Sequence, residues 1–136
     1  MVNTQKKVIT VSAAIIINQN KELLLVRKHG TVFYMQVGGK IEPYESAEDA
    51  LIREIQEEIQ VDAQIKHSLG IIHTTAANEV GFELQAHVFE VDITGHPCHS
   101  AEIAEISWID FNNSQQLRLA PLTEQFVLPY LKDKYS

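Results

Sequence analysis

The sequence predicts an α/β fold in which a mixed β-sheet lies between layers of helices, an α/β/α sandwich. β-rich segments precede and follow one amphipathic helix, and a second helical segment closes the chain. A repeating βαβ array, which would predict a parallel sheet, does not fit this order. The 136 residues, 45% of them hydrophobic, suffice for one core of ordinary size and are few for two. We therefore expect a single domain over residues 1–136.

The strands are predicted from short apolar runs that are rich in β-branched residues. The runs KVITVSAAIII and ELLLVRK are joined by NQNK, which suits a hairpin turn, and TVFYMQVGGKIE continues as short extended pieces. Later strands are expected in AQIKHSLGIIHTTA, GFELQAHVFEVDI and EISWIDF. The closing helix is PLTEQFVLPYLKDK, with Pro121 in its first turn and Pro129 expected to kink or interrupt it.

The strongest helix prediction is the segment ESAEDALIREIQEEIQ. Ser46 can cap its first turn, where Glu48 and Asp49 suit the positive end of the helix dipole. An apolar stripe at helical spacing is formed by Ala47, Ala50, Leu51, Ile55 and Ile59. The stripe predicts that this helix packs against the sheet.

Charge and cysteine content argue against several classes of protein. With 18 acidic and 11 basic side chains, the net charge of -7 disfavours binding to nucleic acid or to an anionic membrane. No stretch approaches the roughly 20 apolar residues of a membrane span, and the amino-terminal apolar run is too short for a signal peptide. Cys98 is the only cysteine, so a reducing cytoplasm is the expected compartment.

The helix carries three acidic residues on one face. Glu54, Glu57 and Glu58 are spaced i, i+3 and i+4, so their like charges repel one another beside the apolar stripe. Crowded carboxylates at the edge of a core raise one another's pKa unless a cation neutralises them, and Mg²⁺ or Mn²⁺ suits such oxygen ligands. An ordinary solvated face is the alternative. The upstream glycine pair and Glu45 favour a site.

Residues 39–61 resemble the signature of the Nudix (MutT-like) hydrolases, G-x5-E-x7-R-E-U-x-E-E-x-G-U, where U is aliphatic. The matching residues are Gly39, Glu45, Arg53, Glu54, Ile55, Glu57, Glu58 and Val61. The flanking strands, the segment EIAEISWIDF and the closing helix extend the resemblance over nearly the whole chain. A signature this long is more specific than a short glycine motif. The resemblance therefore implies a Nudix fold.

The resemblance also implies a chemistry, namely metal-dependent hydrolysis of a nucleoside diphosphate linked to another group. By position, Glu54, Glu57 and Glu58 would bind Mg²⁺ or Mn²⁺, and the Gly39 carbonyl is a further candidate ligand. Arg53 would pair with Glu45 and hold the loop against the helix. The implied partner is a small nucleotide-type molecule, without a stable nucleic-acid or membrane partner, and homodimers are common in the family.

The general base has several candidates. In this family it is either a glutamate of the signature or one from a loop beyond it, so Glu54 is one candidate. Glu102 and Glu105, in SAEIAEISW, are the others, as base or accessory ligand. Surface acids flanking an edge strand are an equally good interpretation of this pair.

Candidate substrate-binding residues lie outside the signature. Arg27 and Lys28 follow a strand and could meet phosphates, although a solvated hairpin end is the more common environment. Phe33 and Tyr34 could stack on a base, although aromatics in strands more often pack in a core. Asn78 lies in a predicted turn, where asparagine is expected for its conformational tolerance alone.

Three residues depart from the family pattern. Gln60 stands where glycine usually ends the helix in a left-handed conformation, at a cost of about 1 kcal/mol. Val37 replaces a common proline, and Tyr44 replaces a common glycine before the acid. Because Tyr44 could alter the shape of the loop and the approach of substrate, we expect turnover to be affected more than metal binding. Two alternatives to an enzyme are a Nudix-fold nucleotide-binding regulatory module without turnover and a metal-binding structural domain. Retention of Arg53 and the Glu-Glu pair favours the enzyme.

Overall fold

The computed structural model describes residues 7–112 and 117–135, which form an α/β fold with two β-sheets. Residues 1–6, 113–116 and 136 of the expected domain lie outside this description. The elements are β1 (Lys7–Ile15), β2 (Glu22–Lys28), β3 (Val37–Lys40), α1 (Ala47–Ile59), β4 (Asp62–Thr75), β5 (Phe82–Thr94), β6 (Ile103–Asp110), a π-helical turn (Thr123–Val127) and α2 (Leu128–Lys134). Each strand that the sequence predicts is present near its expected bounds.

The larger sheet has the strand order β3-β1-β5-β4. The two inner strands, β1 and β5, run parallel to each other. The edge strand β3 runs antiparallel to β1, and the edge strand β4 runs antiparallel to β5. The predicted mixed sheet is therefore confirmed. A second, smaller sheet consists of β2 and β6 in antiparallel pairing.

The segment NQNK forms a turn, but the two strands that it joins belong to different sheets. The Lys21 amide donates to the Asn18 carbonyl at 3.0 Å, and the Leu24 amide donates to the Ile16 carbonyl at 3.0 Å. Beyond the hydrogen bond between Leu24 and Ile16, β1 and β2 separate, because β2 pairs with β6. The four residues from Leu23 to Val26 are fully buried, so β2 packs on both of its faces. A two-stranded hairpin alone could not bury it in this way.

The core consists of two apolar layers, to which alternate residues of β1 contribute. One layer includes Ala13 and Ile15 and extends to the closing helix through Val127, Leu128 and Leu131. The other includes Ala14 and extends to α1 through Leu51, Ile55 and Ile59. Successive side chains of a strand point to opposite faces of its sheet, so the two layers flank it. The α/β/α arrangement is confirmed.

The helix α1 begins and ends as its local sequence indicates. The Ser46 hydroxyl accepts a hydrogen bond from the Asp49 amide at 3.1 Å. At the other end Gln60 adopts the left-handed conformation, with φ 60° and ψ 40°, that glycine favours. The helix therefore ends in the left-handed conformation that is usual for the family, with glutamine in place of the usual glycine.

The closing helix is interrupted before Pro129, as expected. The π-helical turn precedes α2, and the proline lies in the first turn of α2, where its missing N–H is tolerated. No helix in the described ranges is long and apolar enough to cross a membrane.

Candidate active site

Arg53 is the centre of an ion-pair network between α1 and the loop that follows β3. Its Nε and Nη2 donate to the two carboxylate oxygens of Glu45 at 3.1 and 2.6 Å, and Nη2 also donates to the Lys40 carbonyl at 3.2 Å. Its Nη1 donates to Glu54 at 2.7 Å and to Glu57 at 3.3 Å. The contact expected between Arg53 and Glu45 is therefore present as a bidentate pair, which lowers the pKa of Glu45.

The three glutamates of the acidic face lie in different environments. Their exposed side-chain fractions are 15% for Glu54, 59% for Glu57 and 2% for Glu58. The helix rotates about 100° per residue, so Glu58 turns towards the sheet while Glu57 stays at the solvent edge. The sequence indicates one face, but the structure divides it into a buried, an intermediate and an exposed carboxylate.

Glu58 is a buried carboxylate whose negative charge is only partly compensated. Its Oε1 accepts a hydrogen bond from the Gly38 amide at 3.2 Å. Its Oε2 lies 3.3 Å from Lys28 Nζ but accepts no hydrogen bond. Burial raises the pKa of Glu58 to about 7, and the Lys28 ammonium and Gly38 amide oppose this rise. Burial likewise raises the pKa of Glu54, against the opposing effect of Arg53.

The glycine pair allows two close backbone approaches. A Cβ atom added to Gly39 would lie 2.5 Å from the Glu54 carboxylate, so any side chain there would displace that group. A Cβ added to Gly38, whose φ is +154°, would overlap the Ser12 carbonyl oxygen. Gly39 therefore lets the backbone of β3 lie against a carboxylate of α1, and Gly38 lets it lie against β1.

The donor atoms suit a hard divalent cation. Glu54, Glu57 and Glu58 offer carboxylate oxygens, the ligand type that Mg²⁺ and Mn²⁺ prefer, and the Oε2 atom of Glu58 lacks a hydrogen-bond donor. Across the described ranges, no three acidic, histidine or cysteine side chains are already grouped as a metal-binding set. In this conformation the carboxylates instead contact Arg53 and Lys28. The residues thus fit the predicted metal chemically, while their carboxylates are paired with protein cations.

A pocket opens beside the glycine pair. Two residues that the sequence suggested for substrate, Lys28 and Asn78, line it together with Gly39. Gln36 and Thr123 also line it, although no sequence motif marks either as a site residue. The one available indication for Gln36 was a polar residue in an extended piece, directly before the valine and glycines of β3.

Arg27 and Tyr34 lie outside this pocket lining and converge on Glu105. Arg27 donates to Glu105 Oε1 through Nη2 at 2.7 Å, and the Tyr34 hydroxyl donates to Oε2 at 2.8 Å. These bonds lower the pKa of Glu105. Phe33 is half-buried and is also absent from the pocket lining. The roles suggested for these residues stay predictions.

Glu102 lies in the loop directly before β6. Its side chain is exposed, and its carbonyl accepts a hydrogen bond from the His29 amide at 3.0 Å, next to Lys28. Because Lys28 contacts Glu58, this bond places the loop before β6 beside the buried carboxylate.

Comparison with known proteins identifies the family. The sequence profile of the NUDIX domain matches residues 6–128. A putative 8-oxo-dGTP diphosphatase of Bacillus subtilis is 30% identical over 97 residues, which are 70% of this chain and 62% of that protein. An ADP-ribose pyrophosphatase of Methanocaldococcus jannaschii is 28% identical over 106 residues, which are 75% of this chain and 62% of that protein. The chain thus spans less than two thirds of the length of these relatives.

A solved structure agrees with this result. The NUDIX hydrolase of Nitrosomonas europaea superposes with a TM-score of 0.77 and 26% identity, covering 94% of this chain and 91% of that one. The matched range of the family profile includes the whole signature and all the strands described above. The chain belongs to the NUDIX domain family.

Proposed function

We propose that this protein is a metal-dependent hydrolase that cleaves the diphosphate linkage of a nucleoside diphosphate derivative. The observation that carries the proposal is the Glu58 carboxylate, which is buried with little compensation beside Glu54 and behind the glycine pair. A buried, poorly compensated carboxylate is costly in a protein with only a structural role. It is useful where a divalent cation must be bound.

Mg²⁺ or Mn²⁺ would be held by Glu54, Glu57 and Glu58, with the Gly39 carbonyl as a further candidate ligand. When bound, the cation would neutralise charge on the diphosphate and lower the pKa of a bound water. Lys28, which lines the pocket and contacts Glu58, lies where it can attract phosphate oxygens. Lys28 thus links the pocket to the buried carboxylate of the acidic face.

Arg53 acts as a positioning residue. Its guanidinium holds Glu45 and the loop after β3 through Nε and Nη2, while Nη1 orients Glu54 and Glu57. Because the guanidinium is planar and carries several donors, one side chain can hold both the loop and the helix. The geometry of the acidic face therefore depends on Arg53 without Arg53 contacting the substrate.

Glu54 is the preferred general base. Its carboxylate lies beside the proposed cation and is oriented by Arg53 Nη1, so the oxygen that does not bind the cation is placed to take a proton from a bound water. In the step we propose, a water oxygen forms a bond to phosphorus in line with the anhydride oxygen, whose bond breaks, and the carboxylate takes the water proton. Glu102 remains the alternative base, and Glu105 is less suited because both its oxygens are engaged.

The substrate panel that tests the proposal follows from the relatives. Their names indicate an oxidised guanine nucleotide for one and ADP-ribose for the other. The purified protein would be incubated with nucleoside triphosphates, oxidised nucleotides, ADP-ribose, sugar nucleotides and dinucleoside polyphosphates, with Mg²⁺ or Mn²⁺. Released phosphate and pyrophosphate would be measured, with a phosphatase-coupled step for the compounds whose hydrolysis yields phosphate monoesters.

The matched controls are two variants of α1. Glu57→Gln removes a proposed ligand, and Glu48→Gln removes an exposed charge from the first turn of the same helix. We expect turnover in the parent and in Glu48→Gln, and loss of turnover in Glu57→Gln. Nucleotide binding without turnover of any compound would instead favour the regulatory module.

A further inference from the structure

The pocket contains a buried amide group that has no partner for its donor. Gln36 is 6% exposed, and its Oε1 accepts a hydrogen bond from the Thr123 hydroxyl at 2.5 Å. Its Nε2 is buried and has no hydrogen-bond partner among the described residues. Thr123 is fully buried and its hydroxyl donates to Oε1, so Nε2 is the end of the amide that lacks a partner.

Such a group is unfavourable in a protein that never binds a ligand there. A buried donor that loses its water without gaining a partner costs free energy, and native structures contain few of them. Gln36 is not part of the ion-pair network around Arg53 or of the pair between Lys28 and Glu58. The network described above therefore does not explain it.

The rest of the pocket suits a flat ring. Ile9, Val11 and Ala13 of β1 line it from one strand face, and Leu84 and Leu122 add further apolar surface. Ser12, Thr75 and Asn78 add polar groups to this apolar slot, and an apolar slot with a few placed polar groups is the usual construction of a specific small-molecule site. At its other end the pocket reaches Gly38, Gly39 and Lys28, beside the acidic face.

We propose that Gln36 selects nucleotides whose base carries a carbonyl oxygen at the ring position where adenine and cytosine carry an amino group, as hypoxanthine, guanine and uracil do. The Nε2 group of Gln36 donates to that carbonyl, and Thr123 fixes the direction of the amide. The base then occupies the apolar slot, and the phosphates extend towards the glycine pair. This inference rests on the proposed hydrolase function and names the class of its substrate.

Two pairs of nucleotides test the selection. Inosine and adenosine triphosphates differ mainly in a carbonyl or an amino group on the six-membered ring, and uridine and cytidine triphosphates differ in the same way. We expect kcat/KM to favour the carbonyl member of each pair by about tenfold or more, because a site built around a hydrogen bond rejects an analogue that cannot make it. A preference for the amino members would overturn the inference, since it would require the opposite amide orientation.

Three variants assign the preference to the pair. Gln36→Met keeps a similar volume without the donor, and Thr123→Val removes the hydroxyl that orients the amide. In both, the preference should fall to about twofold or less, mainly through KM for the carbonyl members. Gln19→Met, in the exposed β1–β2 turn, is the matched control and should keep the parent's preference. Preference that survives Gln36→Met would overturn the inference.

A second readout does not need turnover. Dissociation constants of inosine and adenosine monophosphates, measured by calorimetry in chelator, should favour the inosine compound in the parent and be nearly equal in Gln36→Met. If this holds but no nucleotide is hydrolysed with metal, the inference stands and the proposed hydrolase function fails. If nucleotides are hydrolysed without base preference, the function stands and the inference fails.

Discussion

Replacing Glu58 by glutamine should make the metal-free protein more stable at alkaline pH. Its carboxylate has a pKa of about 7 in the folded protein against an ordinary value of 4.5. An acid whose pKa is higher in the folded protein binds its proton more tightly in that state. Its contribution to the unfolding free energy is therefore complete at a pH below the pKa of the unfolded protein, and is lost as the pH rises through the pKa of the folded protein. The difference of about 2.5 units corresponds to about 3 kcal/mol of unfolding free energy at pH 8.

Glutamine avoids the loss of unfolding free energy that follows ionisation of Glu58, because its side chain stays uncharged. Its side-chain oxygen can still accept the hydrogen bond that the Gly38 amide donates to Glu58. The Lys28 ammonium loses its ion pair, but with 36% of its side chain exposed it remains partly hydrated. We therefore expect Glu58→Gln to gain up to about 3 kcal/mol at pH 8 and little at pH 5, where the parent's carboxyl is protonated when folded.

Urea unfolding followed by circular dichroism, in chelator at pH 5 and pH 8, measures this difference. Glu57→Gln is the matched control, since 59% of that side chain is exposed and no comparable gain is expected. Adding Mg²⁺ at pH 8 should stabilise the parent more than Glu58→Gln. A Glu58→Gln protein that is no more stable than the parent at pH 8 would refute the idea that the site contains a buried charge that is only partly compensated.

Three further substitutions test other contacts of the site. Arg53→Lys keeps the charge but loses the bidentate contact with Glu45. Turnover should fall about tenfold or more, and protease should cut the loop after β3 faster than in the parent. Kinetics like those of the parent would count against the positioning role. Gly39→Ala places a methyl group against the Glu54 carboxylate, and should lower kcat while the circular dichroism spectrum is retained; unchanged kcat would show that the carboxylate can move aside. Gln60→Gly relieves a left-handed conformation and should raise the unfolding free energy by about 1 kcal/mol in urea. No gain would indicate that the hydrogen bonds from Gln60 Nε2 to the Cys98 and His99 carbonyls compensate for that conformation.

Local signals predicted the parts of the fold that depend on short stretches of chain. The serine cap of α1, the interruption at Pro129 and the strand segments all follow from neighbouring residues, and the structure contains each of them. The pairing of β2 with β6 instead joins segments about 80 residues apart, so no local pattern reveals it. This pairing brings Arg27 opposite Glu105 and forms a network that the sequence could not indicate.

The candidate site was predictable in its residue types and less so in its electrostatics. Helical spacing places Glu54, Glu57 and Glu58 together, but burial of Glu58 depends on the approach of β3, which a pattern within α1 does not show. Gln36 was missed because its buried position requires the contact with Thr123, 87 residues further along the chain. Long-range packing thus determines which polar residues of the site are buried.

The rate of hydrolysis as a function of Mg²⁺ concentration, using the best substrate of the panel, tests the hydrolase proposal most directly. The parent and Glu48→Gln should both show saturable activation by the metal and no turnover in chelator. Glu57→Gln should be slower by about a hundredfold or more at the same metal concentration. Equal rates in chelator and in Mg²⁺, or equal rates for Glu57→Gln and the parent, would contradict the role proposed for the acidic face of α1.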